Sequence, residues 1–312
     1  MSAIPTQRFA DPDTVRAYPL PVSGPAPWRH RDGAWRLALP LPDLSPGTIL
    51  VPSLASAGDA PQRYRWTLRA AGGSWPLLEI PAAGKVAGVP SGGPVSTHID
   101  CFHIHRPLPS PVLHLTFMAA ASPSRYLVTV STRALTLAVP PLPRRSVILP
   151  VPPPPRSQLR APEEIAQRIC SPTCVSMVLS MWHRPHDWLA LTESCRDPVT
   201  DTYGVWPLAI AAAARHDCVG AVEVFPDWTD ALDVLDQGVP VVTSIRFGDG
   251  ELPDAPLPQT NGHLVVVYGA GPDVVHVCDP AGADGEVVRR YPAAAFSGAW
   301  LRHRGAAYIL PR

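Results

Sequence analysis

Between Pro140 and Pro155 the chain reads PPLPRRSVILPVPPPP, and half of those positions are proline. Proline fixes φ at about −65° and has no backbone N–H, so no helix can run through such a stretch. Extended polyproline geometry is what remains. The run therefore divides the chain. It predicts a semi-rigid connection over residues 140–156 between two folded units. A length of 312 residues suits two domains better than one. With 46% hydrophobic residues there is enough apolar material for a core in each.

The composition of structure signals changes across the run. Residues 1–27 read as an N-terminal extension. From Trp28 to about residue 139 the chain offers short alternating runs separated by turn residues, such as Trp35-Arg-Leu-Ala-Leu, Tyr64-Arg-Trp-Thr-Leu-Arg, Val112-Leu-His-Leu-Thr-Phe and Tyr126-Leu-Val-Thr-Val-Ser-Thr. Period-two alternation at this length predicts strands, and their spacing predicts a β-sandwich-like domain. Its one chemically suggestive cluster is His98, Asp100, His103 and His105. His103 and His105 alternate and would share a strand face. No second set of ligands accompanies them, so a polar face is expected rather than a metal site.

After the run, helical patterns appear. Pro172–Trp182 reads as a buried helix. Val205–Arg215 reads as a second, with Pro207 in its first turn. Thr229–Gln237 reads as a third, capped by Thr229 and closed by Gly238. Strands are expected at 240–247, 263–268, 274–279 and 306–310. Helices followed by an antiparallel sheet make residues 157–312 an α+β domain.

This second half carries the candidate chemistry. Cys170 precedes Ser171 and Pro172, which read as N-cap and first helical residue, so its thiol would lie at the mouth of the buried helix. Free N–H groups and the helix dipole favour a thiolate there. His263 opens an apolar strand and Asp279 closes the next, each eight residues from Gly271. A hairpin centred on Gly271 would place them directly opposite one another on one face. A carboxylate at that distance holds the imidazole in the tautomer that leaves its other nitrogen for the thiol. Gly262 leaves room for a substrate backbone beside His263. An oxyanion needs a donor, and Gln158 is the first candidate, with Gln167 its rival. Cys174, one turn after Cys170, is expected to pack inward. Cys278 should point away from the face that Asp279 occupies. His183 and His186 are expected at the surface, and Trp206 and Trp300 in the core or on a cleft wall.

Taken together, Gln158, the block Cys170–Leu179, Gly204-Val-Trp-Pro207, Asn261–Gly269 and Asp279-Pro280 resemble the bacteriocin-processing, double-glycine leader peptidase-like branch of the papain-like cysteine peptidases. The resemblance covers about the last 155 residues and rests on four blocks in the same order. It implies a papain-like fold with Cys170 as nucleophile, His263 as base, Asp279 as orienting group and Gln158 as oxyanion donor. Some transporter-free members carry an extra N-terminal β-domain, which this chain resembles in outline. Many relatives have Gly where this chain has Ser171. In transporter-linked members the glutamine lies nearer the cysteine. No Walker-type phosphate loop is present, so cleavage coupled to export is not expected.

The expectation is thus a cysteine peptidase or hydrolase acting on a peptide or protein substrate, without cofactor or metal. An acyltransferase using the same thiol, or a peptide-binding module with a decayed site, are the alternatives. Zero formal net charge and a pI of 7.2 argue against a nucleic-acid partner. Six dispersed cysteines are too sparse for a disulfide scaffold and lack paired zinc spacing. No signal-peptide pattern or long apolar run is visible, which predicts a cytoplasmic location and no membrane span.

Overall fold

The computed structural model describes residues 5–58, 63–81 and 93–312. Two five-stranded antiparallel sheets form the first unit. In spatial order the first holds Gln7–Ala10 (β1), Tyr126–Ala134 (β10), Thr48–Ser56 (β4), Phe102–Ile104 (β8) and Val95–Thr97 (β7), numbered along the chain. The second holds Arg29–Arg31 (β2), Ala34–Pro40 (β3), Val112–Met118 (β9), Arg63–Ala70 (β5) and Gly73–Pro76 (β6). Strands β3, β5 and β9 alternate buried and exposed residues, as the sequence pattern predicts. Their inward residues Leu37, Trp66, Leu68 and Leu115 meet Leu50, Leu54, Phe102 and Val128 of the first sheet. That shared core makes the β-sandwich.

Strand β4 behaves differently. All nine of its residues are buried, because the sheet is covered on both faces. Leu50 and Leu54 face the second sheet, whereas Ile49, Val51 and Ala55 join the core of the C-terminal half. Two-sided burial gives a continuous apolar run instead of alternation. Pro52 also argues against a central strand. On the β8 side nothing pairs at Pro52, because β8 meets only Thr48, Ile49 and Leu50.

The C-terminal half is built on a seven-stranded antiparallel sheet. Its order is Ala221–Val224 (β12), Ala306–Ile309 (β17), Val241–Phe247 (β13), Thr260–Ala270 (β14), Val274–Cys278 (β15) and Val288–Pro292 (β16), with Val147–Ile148 (β11) paired to β14. The helices are Pro12–Ala17 (α1) in the first half, then Glu163–Ala166 (α2), Cys170–Met181 (α3), Trp188–Ser194 (α4), Trp206–Arg215 (α5), Thr229–Asp236 (α6) and Ala293–Leu301 (α7). The class is α+β, a helix-on-antiparallel-sheet unit preceded by a β-sandwich. Two helix starts differ from expectation. Helix α3 begins at Cys170 with Ile169 as its N-cap, and Ser171 bonds through its hydroxyl to the Tyr308 hydroxyl at 3.0 Å instead of capping. Helix α6 has Trp228, not Thr229, at its N-cap; Gly238 closes it at φ 79°.

The proline-rich segment is docked on the C-terminal half. Strand β11 lies inside it, and Leu149 is buried. Its approach to Gly269 is so close that a Cβ there would stand 2.7 Å from Ile148 Cγ1 and 3.1 Å from Ile148 Cα.

The sandwich covers the edge of the seven-stranded sheet. The Val222 and Val224 N–H groups of β12 donate to the hydroxyls of Ser53 and Ser131 at 3.1 and 2.9 Å. An open edge is a liability in water, and these serines close it. Arg133 of β10, 3% exposed, donates to the Phe225 and Leu301 carbonyls at 2.9 and 2.7 Å. Arg8 of β1 forms a two-pronged pair with buried Glu223 at 2.9 and 2.7 Å, and Tyr18 donates to the same carboxylate at 2.7 Å.

Candidate active site

Cys170 is the first residue of α3, and the helix is otherwise buried from Ser171 to Leu179. Packing against β14 fixes its position and leaves its N-terminal end at a cleft. The thiol is only partly covered. The Ser171 and Leu264 backbone N–H groups both face the sulfur. Burial alone would raise its pKa. The hydrogen bond and charge of the His263 imidazole, aided by those two N–H groups, outweigh burial and bring it below the usual thiol value.

His263 lies on β14 and is 3% exposed. Its Nε2 is 2.7 Å from Asp279 Oδ1. Asp279, 1% exposed, also accepts from the Tyr291 hydroxyl on Oδ2 at 2.8 Å and from the Ala281 N–H on Oδ1 at 3.0 Å. With Nε2 engaged, Nδ1 is the ring nitrogen left for the sulfur, with which His263 is hydrogen-bonded. Burial disfavours an imidazolium. Asp279 and then Cys170 reverse that and push its pKa up to about 10. Burial likewise disfavours the Asp279 carboxylate, yet the His263 charge and three hydrogen bonds hold its pKa below the usual range.

The route by which His263 and Asp279 meet differs from the hairpin expected. The observed register pairs Val266 with Cys278 and Ala270 with Val275, with a bulge between Val267 and Gly269. Continued one step, it sets Asp279 opposite Val265. His263 is then a diagonal neighbour on the same face, not a direct one. Diagonal partners lie within reach of a long side chain, and alternation preserves the shared face. The turn is centred between Pro272 and Asp273 rather than on Gly271, and the bulge returns the register by one residue, which is what puts Asp279 and His263 on the same face.

Gln158 opens a short 3-10 turn, Gln158–Arg160, and is 2% exposed. Its backbone N–H bonds to the Pro280 carbonyl at 2.8 Å, and the Ser157 hydroxyl to Gly282 at 2.6 Å. The glutamine is thereby tied to the segment after Asp279. Its Oε1 is buried without a hydrogen-bond partner. Gln167 is exposed at the end of α2 and is the glutamine that lines the cleft with Cys170.

The cleft has a volume of about 590 Å³, in the range of ligand sites. Besides Cys170 and Gln167, Trp206, Asn261, Gly262 and Leu264 line it. Gly262 leaves open space where a side chain would stand. His98, Ile99 and Asp100 of the sandwich also line it, together with Arg246 and Arg304. Sequence reasoning did not find these contributions, nor Tyr291. No local pattern marks residues whose role comes from packing against a distant part of the chain.

The remaining candidates separate from the site. The Cys174 sulfur donates to the Leu264 carbonyl at 3.2 Å and burial pushes its pKa well up. Cys278 points to the Pro153 carbonyl at 3.6 Å, on the face opposite Asp279, and burial raises it to about 12. His183 is exposed. His186 is not: Ser176 Oγ and the Arg184 carbonyl hold its two nitrogens, each at 2.8 Å. Trp206 lines the cleft and Trp300 is core. In the sandwich, His98 Nε2 meets His103 Nδ1 at 3.0 Å, and His105 turns to Ser96. Among the described residues no group of three or more His, Cys, Asp or Glu side chains could hold a metal ion. No helix among them is long and apolar enough to cross a membrane.

Comparison with known proteins gives three findings. A family model described as the Peptidase_C39 like family matches residues 148–308, more than half of the chain. No curated protein matches. Similar solved structures include a protein described as a C39-like peptidase from Bacillus anthracis, 18% identical over 54% of this chain and 98% of that one, with TM-score 0.42. Another is a double glycine motif protease from an AMS/PCAT transporter, in complex with the leader peptide, 13% identical over 53% of this chain and 97% of that one, with TM-score 0.35.

Proposed function

Because this chain belongs to the Peptidase_C39-like family, we propose that it is a cysteine peptidase in which Cys170, His263, Asp279 and Gln158 carry the reaction. The observation that supports this most is the chain of contacts from the Cys170 sulfur at the cleft through the buried His263 ring to Asp279.

The chemistry is acyl transfer to water. The Cys170 thiolate attacks the carbonyl carbon of a peptide bond, and a C–S bond forms as the carbonyl oxygen takes up negative charge. The Gln158 side-chain amide and the Cys170 backbone N–H stabilise that oxyanion. The His263 imidazolium gives its proton to the leaving nitrogen, the C–N bond breaks, and a thioester remains. Neutral His263 then takes a proton from water as the water oxygen attacks the thioester. Collapse releases the carboxyl product and restores the thiolate–imidazolium pair. Asp279, oriented by Tyr291, fixes the ring and stabilises its charged form. The backbone N–H of Gln158 bonds to the carbonyl of Pro280, the residue after Asp279, and this anchoring supports assigning its side-chain NH2 the oxyanion role.

The test is paired. Cys170→Ala should abolish peptide hydrolysis and labelling by a thiol-directed electrophile. One equivalent of label retained in that variant, mapped to Cys174, would reject Cys170 as the nucleophile.

A further inference from the structure

We infer that the cleft beside Cys170 selects peptides by a carboxylate, received by Arg304 and Arg246; this rests on the peptidase function proposed above. The charge lining the cleft is one-sided. Arg168, Arg246 and Arg304 line it against a single carboxylate, Asp100; His98 and His303 also line it, but burial and the neighbouring arginines favour their neutral forms. Asp100 is only 8% exposed. Arg168 is engaged by Asp201 at 2.8 Å. Arg246 and Arg304, in contrast, make no hydrogen bond or ion pair among the described residues. A second cavity of about 480 Å³ shares Arg246, Asn261 and His303 with the first, so Arg246 stands between the two.

Arg304 is held in place without its donors being used. Its guanidinium lies over the Trp206 ring, 5.6 Å from the centroid. Trp206 is the first residue of α5, whose N-cap Val205 supplies no side-chain bond. Asp100, reaching across from the sandwich, faces the Trp206 backbone N–H instead. Anions are favoured at a helix N-terminus, so Asp100 steadies Trp206, and its charge also attracts Arg304 directly. A guanidinium kept on an aromatic face presents a planar fork that fits a carboxylate through two parallel hydrogen bonds. The partly enclosed cleft strengthens that attraction relative to bulk water. An acidic side chain near the scissile bond and a free C-terminal carboxylate share this chemistry.

The experiment uses the full chain carrying Cys170→Ala, so that bound peptide is not consumed. Three degenerate peptide pools are compared for binding. One is blocked at both ends with a fixed Glu, one is blocked with a fixed Gln, and one is neutral with a free C-terminal carboxylate. The Glu pool, the free-carboxylate pool, or both should bind at least about tenfold better than the Gln pool, as expected for one charge-assisted hydrogen-bonded contact. Which pool leads assigns the source of the carboxylate. R304Q and R246Q should each reduce that preference. R246Q alters an exposed side chain and keeps the test valid should R304Q fail to fold. Equal binding of all three pools, absence of binding included, overturns the inference, as does a preference that survives both substitutions. Failure of the peptidase function reads out separately. Neutral iodoacetamide would then modify wild-type Cys170 no faster than a free cysteine, whatever the peptide preference.

Discussion

At the scale of single residues, the arrangement turns on how His263 divides its two nitrogens. Asp279 takes Nε2, and Tyr291 and the Ala281 N–H hold Asp279 still. The sulfur therefore faces a ring with one orientation. The two glutamines are in opposite situations. Gln158 is buried, tied by its backbone to Pro280, and has an unpartnered amide oxygen. Gln167 lines the cleft but is exposed at a helix end, where its side chain is free to turn. Stabilisation of a developing oxyanion depends on donors already fixed in place. Gln158→Ala should therefore lower kcat by about 10²–10³-fold, the usual loss for one oxyanion donor, while Gln167→Ala changes it little. Steady-state kinetics of both variants on one peptide decides it, and the reverse ranking would assign the role to Gln167.

At the scale of elements, the site depends on where strands approach closely. Gly269 lets β11 lie against β14, and nine residues after Ile148 the chain enters the turn that carries Gln158. Gly269→Val would drive its side chain into Ile148. Overpacking of this kind costs about 1–3 kcal/mol, read by denaturant unfolding, and turnover should fall because Gln158 is displaced. Unchanged stability and turnover would mean that β11 does not position Gln158. Elements of this sort also mark what sequence could and could not convey. Helix α3 and strands β13, β14, β15 and β17 were legible, because long apolar runs with clear turn signals decide them. His263 and Asp279 share a face, since face-sharing survives a two-residue change in register. The bulge in β14 and the start of α3 at Cys170 were not legible; each is set by tertiary packing. Strand β4 escaped because Pro52 and two-sided burial erase the alternation by which strands are found. The anchoring of Gln158 beside Pro280 has no local signature.

At the scale of the molecule, the sandwich and the C-terminal unit are one packed body, joined by a core and by buried charge. Glu223→Ala would remove the two-pronged partner of Arg8, 6% exposed, and leave it only the longer contact to the half-exposed Asp230 at 3.4 Å. Breaking a buried pair from one side costs about 3–5 kcal/mol. Urea unfolding should show that loss, and a change below about 1 kcal/mol, the size of a surface pair, would contradict it. The same packing explains why the cleft includes His98 and Asp100: the sandwich completes a wall the C-terminal unit does not close. What all three scales serve is a sulfur ionised by its neighbouring imidazole. The rate of iodoacetamide alkylation at Cys170 against pH measures this directly, in the wild type and in His263→Ala. An ordinary thiol is only a few per cent ionised near neutral pH. The wild type should react faster than an ordinary thiol at neutral pH, with its ionisation below the ordinary 9.0 and a second change near pH 10 as His263 loses its proton. His263→Ala should show one ionisation, moved up toward 9.0. Superimposable profiles for the two proteins, both rising near 9, would contradict the account.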